Sequence, residues 1–198
     1  VENDQVKLDQ VPQAQSSLIS FNPKTGEVLS YVGGSVFNNS QFDRVRQSYP
    51  QSGSVFKPFI YASAFSGGYN PSSLINDAPI IFEDDNLETF WRPENYSGKF
   101  YGLTTLREAL VQSINIVSIK LLREIGIKKS SETIDNFGFG SERLPQDLSL
   151  ALGSGNFSPA EVARGFSVFA NDGMISDIHY VSQIKDKNGD IIFDHSEI

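Results

Sequence analysis

The stretch QSGSVFKPFIYASAF, residues 51–65, constrains this 198-residue chain more than any other. Phe56, Phe59, Ile60, Ser63 and Ala64 recur at helical spacing, which predicts a mostly buried helix, and the paired glycines Gly67 and Gly68 supply its stop. Pro58 removes a helical donor and biases Lys57 away from α geometry, so the first turn is placed very near Ser54. Ser54 and Lys57 then share one helix face, with Cβ atoms about 5–6 Å apart.

That pair has two readings. As chemistry, a lysine is a base only when neutral, and its ordinary pKa of about 10.4 has to be lowered by burial or nearby cations. Val55, Phe56, Phe59 and Ile60 supply an apolar surround, and a helix N-terminus offers free N–H groups and a positive dipole end to a developing oxyanion. As structure, the same letters describe a helix N-cap and a lysine whose stem lies along apolar surface. Ser113-Ile114-Asn115 is ambiguous in the same way. It interrupts two helical runs, and because positions i and i+2 do not share a helix face, both side chains enter one cleft only if the link is non-helical. An ordinary polar helix junction also has this composition.

Composition removes whole classes of function. A chain of this length, 39% hydrophobic, reads as one globular domain; it buries roughly 70% of its unfolded surface around a single core. A net charge of −8 with no Lys/Arg-rich run leaves no phosphate-backbone footprint, so nucleic acid is not an expected partner. The absence of cysteine excludes disulfides, Cys-ligated zinc and thiol catalysis. His179 and His195 lack metal-ligand spacing and read as structural or surface residues, so no metal or organic cofactor is expected. No apolar run approaches the roughly 18 residues of a membrane span, and VENDQVKLDQ is too polar for a signal peptide, so the chain as given reads as soluble.

The remaining pattern is strands at both ends with helices between. Residues 17–33 predict a β-hairpin turning at Asn22, Pro23 and Gly26, and YVSQIKDKNGDIIFDH predicts a second, turning at Asn188 and Gly189. Residues 34–53 read as a loop. Residues 69–103, with the aromatics Phe90, Trp91, Tyr96, Phe100 and Tyr101 and no sustained period, read as a long ordered loop. Thr105 to Glu108 fits a capping box, Ile116 to Ile125 a helix stopped by Gly126, and Ser158-Pro159 with Glu161 another helix start, stopped at Asn171 to Gly173. The expected architecture is α+β, helices packed on an antiparallel sheet.

Ser-x-x-Lys followed by Ser-x-Asn is the order found in penicillin-binding proteins and serine β-lactamases. With its flanks, RQSYPQSGSVFKPFIYASAF, NPSSLINDAPIIFED, WRPENYSGKFYG, TLREALVQSINIVSIKLLREIGI and LSLALGSGNFSPAEVARGFSVFANDGM, the chain resembles the transpeptidase domain of class A penicillin-binding proteins, the 1A type of Gram-negative bacteria above all. The resemblance runs from about Leu18 to the end and leaves residues 1–16 as a lead-in segment. It implies the penicillin-binding protein and serine β-lactamase fold, with Ser54 as the acylated nucleophile and Lys57 as its base. Ser113 would be a proton relay, and Asn115 a donor that positions Lys57 and the substrate amide. The partners implied are peptidoglycan stem peptides, a D-Ala-D-Ala donor and an amine acceptor, together with β-lactams. The location implied is periplasmic, in a parent protein with a membrane anchor and a glycosyltransferase domain. WRPENYSGKFYG and Gly153-Ser154-Gly155 would border the cleft.

One departure stands out. The family's third motif, a Lys-Thr/Ser-Gly strand edge, does not occur in residues 116–198, and Lys24-Thr25-Gly26 precedes the serine, in the turn of the first hairpin. The expectation is an incomplete transpeptidase domain with weak or no catalysis. A D,D-carboxypeptidase or β-lactamase-like hydrolase, and a non-catalytic cell-wall scaffold module, are the alternatives.

Overall fold

The computed structural model describes residues 14–38, 40–84 and 89–195; the lead-in lies mostly outside that range. At the centre is α1, Lys57–Ser66, entered through a 3-10 turn at Gly53–Phe56. Phe59, Ile60 and Ala64 have no exposed surface, so α1 is enclosed by its neighbours as its apolar spacing predicts. Pro58 stands in the first turn, where its missing N–H costs no intrahelical bond. Lys57 nevertheless keeps helical backbone, φ −52° and ψ −41°, against the usual bias of a residue preceding proline. Burial of Phe56 and Lys57 side by side outweighs that local preference.

Around α1 lie α2 (Leu106–Val111), α3 (Asn115–Ile125), α4 (Ile127–Asp135) and α5 (Pro159–Ala170), with a further 3-10 turn at Leu148–Leu152. Aromatic rings weld α1 to the chain that follows α4 and to α5. The Phe59 ring lies 4.8 Å from Phe139 and 5.0 Å from Phe166, and Phe56 stacks on Phe157. Gly165 permits that approach, because a Cβ there would stand 2.7 Å from the Phe139 ring.

The helix boundaries follow the capping signals. Ser158 and Glu161 form both halves of a capping box, whereas Thr105 caps α2 by accepting from Glu108 N alone. Gly126 stops α3 with φ +91°. The helix α4 has no counterpart among the elements predicted from the sequence. Its buried side is Ser130, Ser131 and Ile134, so the surface packed on α1 has a thin apolar stripe, Ile127 and Ile134 seven residues apart with hydroxyls between them.

Among the described residues β structure consists of four two-stranded antiparallel ribbons. The α+β class stands, with the antiparallel pairing divided among ribbons instead of forming one sheet. β1 (Leu18–Phe21) and β2 (Val28–Val32) form the first hairpin, and β7 (Gln183–Lys185) and β8 (Ile191–Asp194) the last, both at the predicted turns. The first hairpin is tied to the chain after α5 where His179 N donates to Gly26 O at 3.0 Å and Val28 N to His179 O at 3.1 Å. Lys24-Thr25-Gly26 lies in its turn, Gly26 N donating back to Asn22 O at 2.8 Å.

Residues 69–103 are not one long loop. They carry β3 (Leu74–Asp77), β4 (Phe82–Asp84) and β5 (Thr89–Trp91) and lead into β6 (Gly102–Thr105); β3 pairs with β6 and β4 with β5. Strands of three or four residues are too short to show a period of two above noise, which is why the sequence conceals them. Nor do the aromatics form one cluster. Trp91 packs on the core beside Phe82, whereas Tyr96, Phe100 and Tyr101 are exposed; the side chain of Phe90 lies outside the described set.

Candidate active site

The 3-10 turn into α1 delivers Ser54 and Lys57 to different environments one turn apart. Ser54 is exposed to solvent, and Lys57 retains 1% of its surface. A buried ammonium demands acceptors, and Lys57 Nζ has three: Ser113 O at 2.7 Å, Ser113 Oγ at 3.1 Å and Asn115 Oδ1 at 2.7 Å. Burial pushes its pKa from 10.5 down to about 8. Lys57, Ser113 and Asn115, separated by up to 58 positions in sequence, therefore meet at one point, with Ser54 three residues ahead of Lys57 on the turn that enters α1.

Ser113 and Asn115 meet there because the chain between α2 and α3 is not helical. Ser113 has φ +53°, a left-handed backbone that costs an L residue roughly 1–2 kcal/mol, and Ile114 is extended at ψ +121°. This is the break the i, i+2 argument requires. Toward Lys57, Asn115 is an acceptor rather than the expected donor, since an ammonium has only protons to give. Its amide Nδ2 donates to Glu94 O at 2.9 Å, which orients the side chain. A flipped amide would set NH2 against the ammonium.

The segment leading to Ser54 is pinned from behind by residues whose importance the sequence only partly signals. Gly53 N donates to Gly153 O at 2.9 Å, Ser52 N to Gly155 O at 3.0 Å, and Gln51 bridges to Asn156. Gly153 adopts φ +71°, and a Cβ there would lie 1.9 Å from Gly53 O. Two backbones therefore touch immediately before the serine, and only glycine allows it. Gly153-Ser154-Gly155 and WRPENYSGKFYG both border the site, as the family resemblance implies; in the second, Glu94 and Asn95 contact the start of α3. The contribution of Asn95 and Asp77 escapes sequence reasoning, because Asn and Asp in NDAP and PENYSG read as turn formers.

The arrangement holds an exposed hydroxyl one helical turn before a buried amine of lowered basicity, two groups that nucleophilic acyl transfer uses. Among the described residues no group of three or more His, Cys, Asp or Glu side chains is placed to hold a metal ion, and no helix is long and apolar enough to cross a membrane.

The description of the penicillin binding protein transpeptidase domain matches residues 17–197. Penicillin-binding protein 1A of Pseudomonas aeruginosa is 43% identical over 192 residues, 97% of this chain and 23% of that protein. The crystal structure of penicillin-binding protein 1A from Haemophilus influenzae superposes with a TM-score of 0.89 at 36% identity, over 94% of this chain and 28% of that one. The PonA1 protein of Mycobacterium tuberculosis, solved in complex with penicillin V, superposes with a TM-score of 0.80 at 21% identity, over 93% of this chain and 52% of that one, and so shares the fold. The chain thus spans about a quarter of the length of the 1A relatives it matches.

Proposed function

Since this chain belongs to the penicillin-binding protein transpeptidase domain family, we propose that its cleft cross-links peptidoglycan stem peptides through an acyl-enzyme on Ser54. The observation that carries this reading is the buried Lys57, three residues after an exposed serine and held by Ser113 and Asn115. In the first step Ser54 Oγ attacks the carbonyl of the penultimate D-alanine, and its proton passes to neutral Lys57 Nζ. The tetrahedral intermediate collapses to the Ser54 ester as the terminal D-alanine leaves, its amine taking a proton from Lys57. Ser113 Oγ stands at 3.1 Å from Nζ and can accept from the ammonium or donate to the free amine, so it suits a relay in that return. An amine of a neighbouring stem then attacks the ester, its proton leaves by the same route, and Ser54 is regenerated.

A β-lactam acylates the same serine through its strained amide, and because ring opening leaves the amine tethered, the adduct persists. Asn115 keeps Lys57 in place through Oδ1. The parent protein is accordingly assigned to the periplasmic face of the inner membrane, with a membrane anchor and a glycosyltransferase domain. Residues 116–198 contain no Lys-Thr/Ser-Gly, and loss of one oxyanion donor costs roughly 10²–10³ in rate, so the 198-residue chain alone is proposed to acylate poorly.

Intact-mass spectrometry after incubation with benzylpenicillin tests the reading. The intact protein that carries this chain gains one penicilloyl mass, mapped to Ser54, and its Ser54→Ala form gains none. An intact protein that stays unmodified overturns the assignment in favour of a scaffold. Rapid loss of the adduct would instead favour a hydrolase.

A further inference from the structure

We propose that Asp77 and Asn95 form a buried positioning pair that sets Asn115, and through it Lys57, in the geometry acylation requires; the inference rests on the transpeptidase reading of this cleft. Asn95 retains 6% of its surface and Asp77 1%. Between them every hydrogen-bonding group of the Asn95 amide is used. Its Nδ2 donates to Asp77 Oδ1 at 2.9 Å, to Asp77 Oδ2 at 3.0 Å and to Lys99 O at 2.8 Å. Its Oδ1 accepts from Asn115 N at 3.0 Å and Ile116 N at 3.1 Å.

The first N–H groups of a helix have no intrahelical acceptor, and Ile114, the N-cap of α3, supplies no side-chain hydrogen bond. Asn95 therefore does from another segment what an N-cap residue does locally. The residue it caps is Asn115, whose side chain also donates to Glu94 O, the neighbour of Asn95. One short stretch, Glu94-Asn95, thus holds both the backbone and the amide of the residue that bonds Lys57 Nζ at 2.7 Å.

Asp77 fixes which way Asn95 faces. A reversed Asn95 amide would put NH2 against two helix N–H groups and its oxygen against a carboxylate, so only one orientation is compatible with both neighbours. Asp77 is itself anchored at the end of β3, with Oδ2 accepting from Tyr101 N at 2.9 Å. The β3–β6 ribbon is in this way connected to the cleft by an unbroken chain of hydrogen bonds, Tyr101 to Asp77 to Asn95 to Asn115 to Lys57.

The test is a reciprocal exchange in the intact protein, read as the second-order rate of acylation by benzylpenicillin per folded molecule, from about pH 6 to about 10. Asn95→Asp faces Asp77 and Lys99 O with acceptors alone; displacement of Asn115 by about 1 Å is expected to slow acylation by roughly 10²-fold. The pH midpoint should also move from that of the wild type, because the Lys57 ammonium loses an acceptor and gains a carboxyl group nearby. The double variant Asp77→Asn, Asn95→Asp restores a donor facing an acceptor between positions 77 and 95 while Lys99 O still lacks one, so its rate should recover in part, to roughly tenfold above Asn95→Asp alone.

If Asn95→Asp folds and acylates at the wild-type rate and midpoint, or if the double variant is slower than Asn95→Asp alone, the positioning role is overturned. If Asn95→Asp does not fold, Asp77→Asn decides: slower acylation with a lowered midpoint supports the role, and lowered thermal stability with both unchanged overturns it. A wild-type protein that is never acylated at Ser54 removes the transpeptidase reading instead, and the positioning role with it.

Discussion

The centre of the molecule and its terminal hairpins use the same residue types to opposite ends. Ile116 and Ile119 in α3 have no exposed surface, whereas Ile184, Ile191 and Ile192 in the β7–β8 ribbon are 47%, 56% and 68% exposed. In α3 an isoleucine fills space between α1 and its neighbours; in the ribbon it supplies strand propensity, and no second layer among the described residues covers it. Function follows that division. The amine of Lys57 is lowered in basicity because α1 and α3 enclose it.

The largest expected break in this contrast comes from Gly153→Ala. The new methyl group would stand 1.9 Å from Gly53 O on a backbone of φ +71°, so the segment before Ser54 must move. Acylation by benzylpenicillin is expected to fall by roughly 10² or more, given the cost of about 1 Å of misplacement. Wild-type acylation would show that the close approach of the two backbones does not position the serine.

Next is Phe59→Ala, which removes a ring in contact with Phe56, Phe137, Phe139, Phe166 and Phe169. A cost of about 3–5 kcal/mol is expected in denaturant unfolding of the intact protein. The matching change in the ribbon, Ile192→Ala, should stay within about 0.5 kcal/mol. Equal costs at the two positions would erase the distinction between centre and hairpin.

The pH dependence sharpens the contrast further. Acylation requires neutral Lys57, so its rate should climb as pH rises through about 8. The same group affects stability: its pKa in the folded protein, about 8, lies below the ordinary 10.5. Between those values the unfolded chain binds more protons, so the contribution of Lys57 makes the protein more stable as pH rises across that window, and its full penalty is present below it. Lys57→Met should abolish acylation and remove this stability slope; a slope that survived would trace to other groups.

Much of the fold was legible along the chain, for reasons that differ from element to element. α1 and α5 announce themselves through apolar spacing and through Pro58, Ser158 and Glu161, because periodicity and capping are local properties. α4 and the strands β3 to β6 do not. The first has only Ile127 and Ile134 on a buried face otherwise made by Ser130 and Ser131, and the strands are three or four residues long, so the apolar signal is thin in one and too short in the others.

The candidate site divides in the same way. Sequence alone determined the identity and order of Ser54, Lys57, Ser113 and Asn115 and the α+β class, since residue type and spacing carry that information. Only the tertiary structure decided that Lys57 is bonded by both Ser113 and Asn115, that Gly153 abuts Gly53, and that Asp77 and Asn95 stand behind Asn115. Each of these joins segments far apart in the chain. A buried polar group takes whichever partners the packing brings within about 3 Å, and those partners have no fixed spacing in sequence.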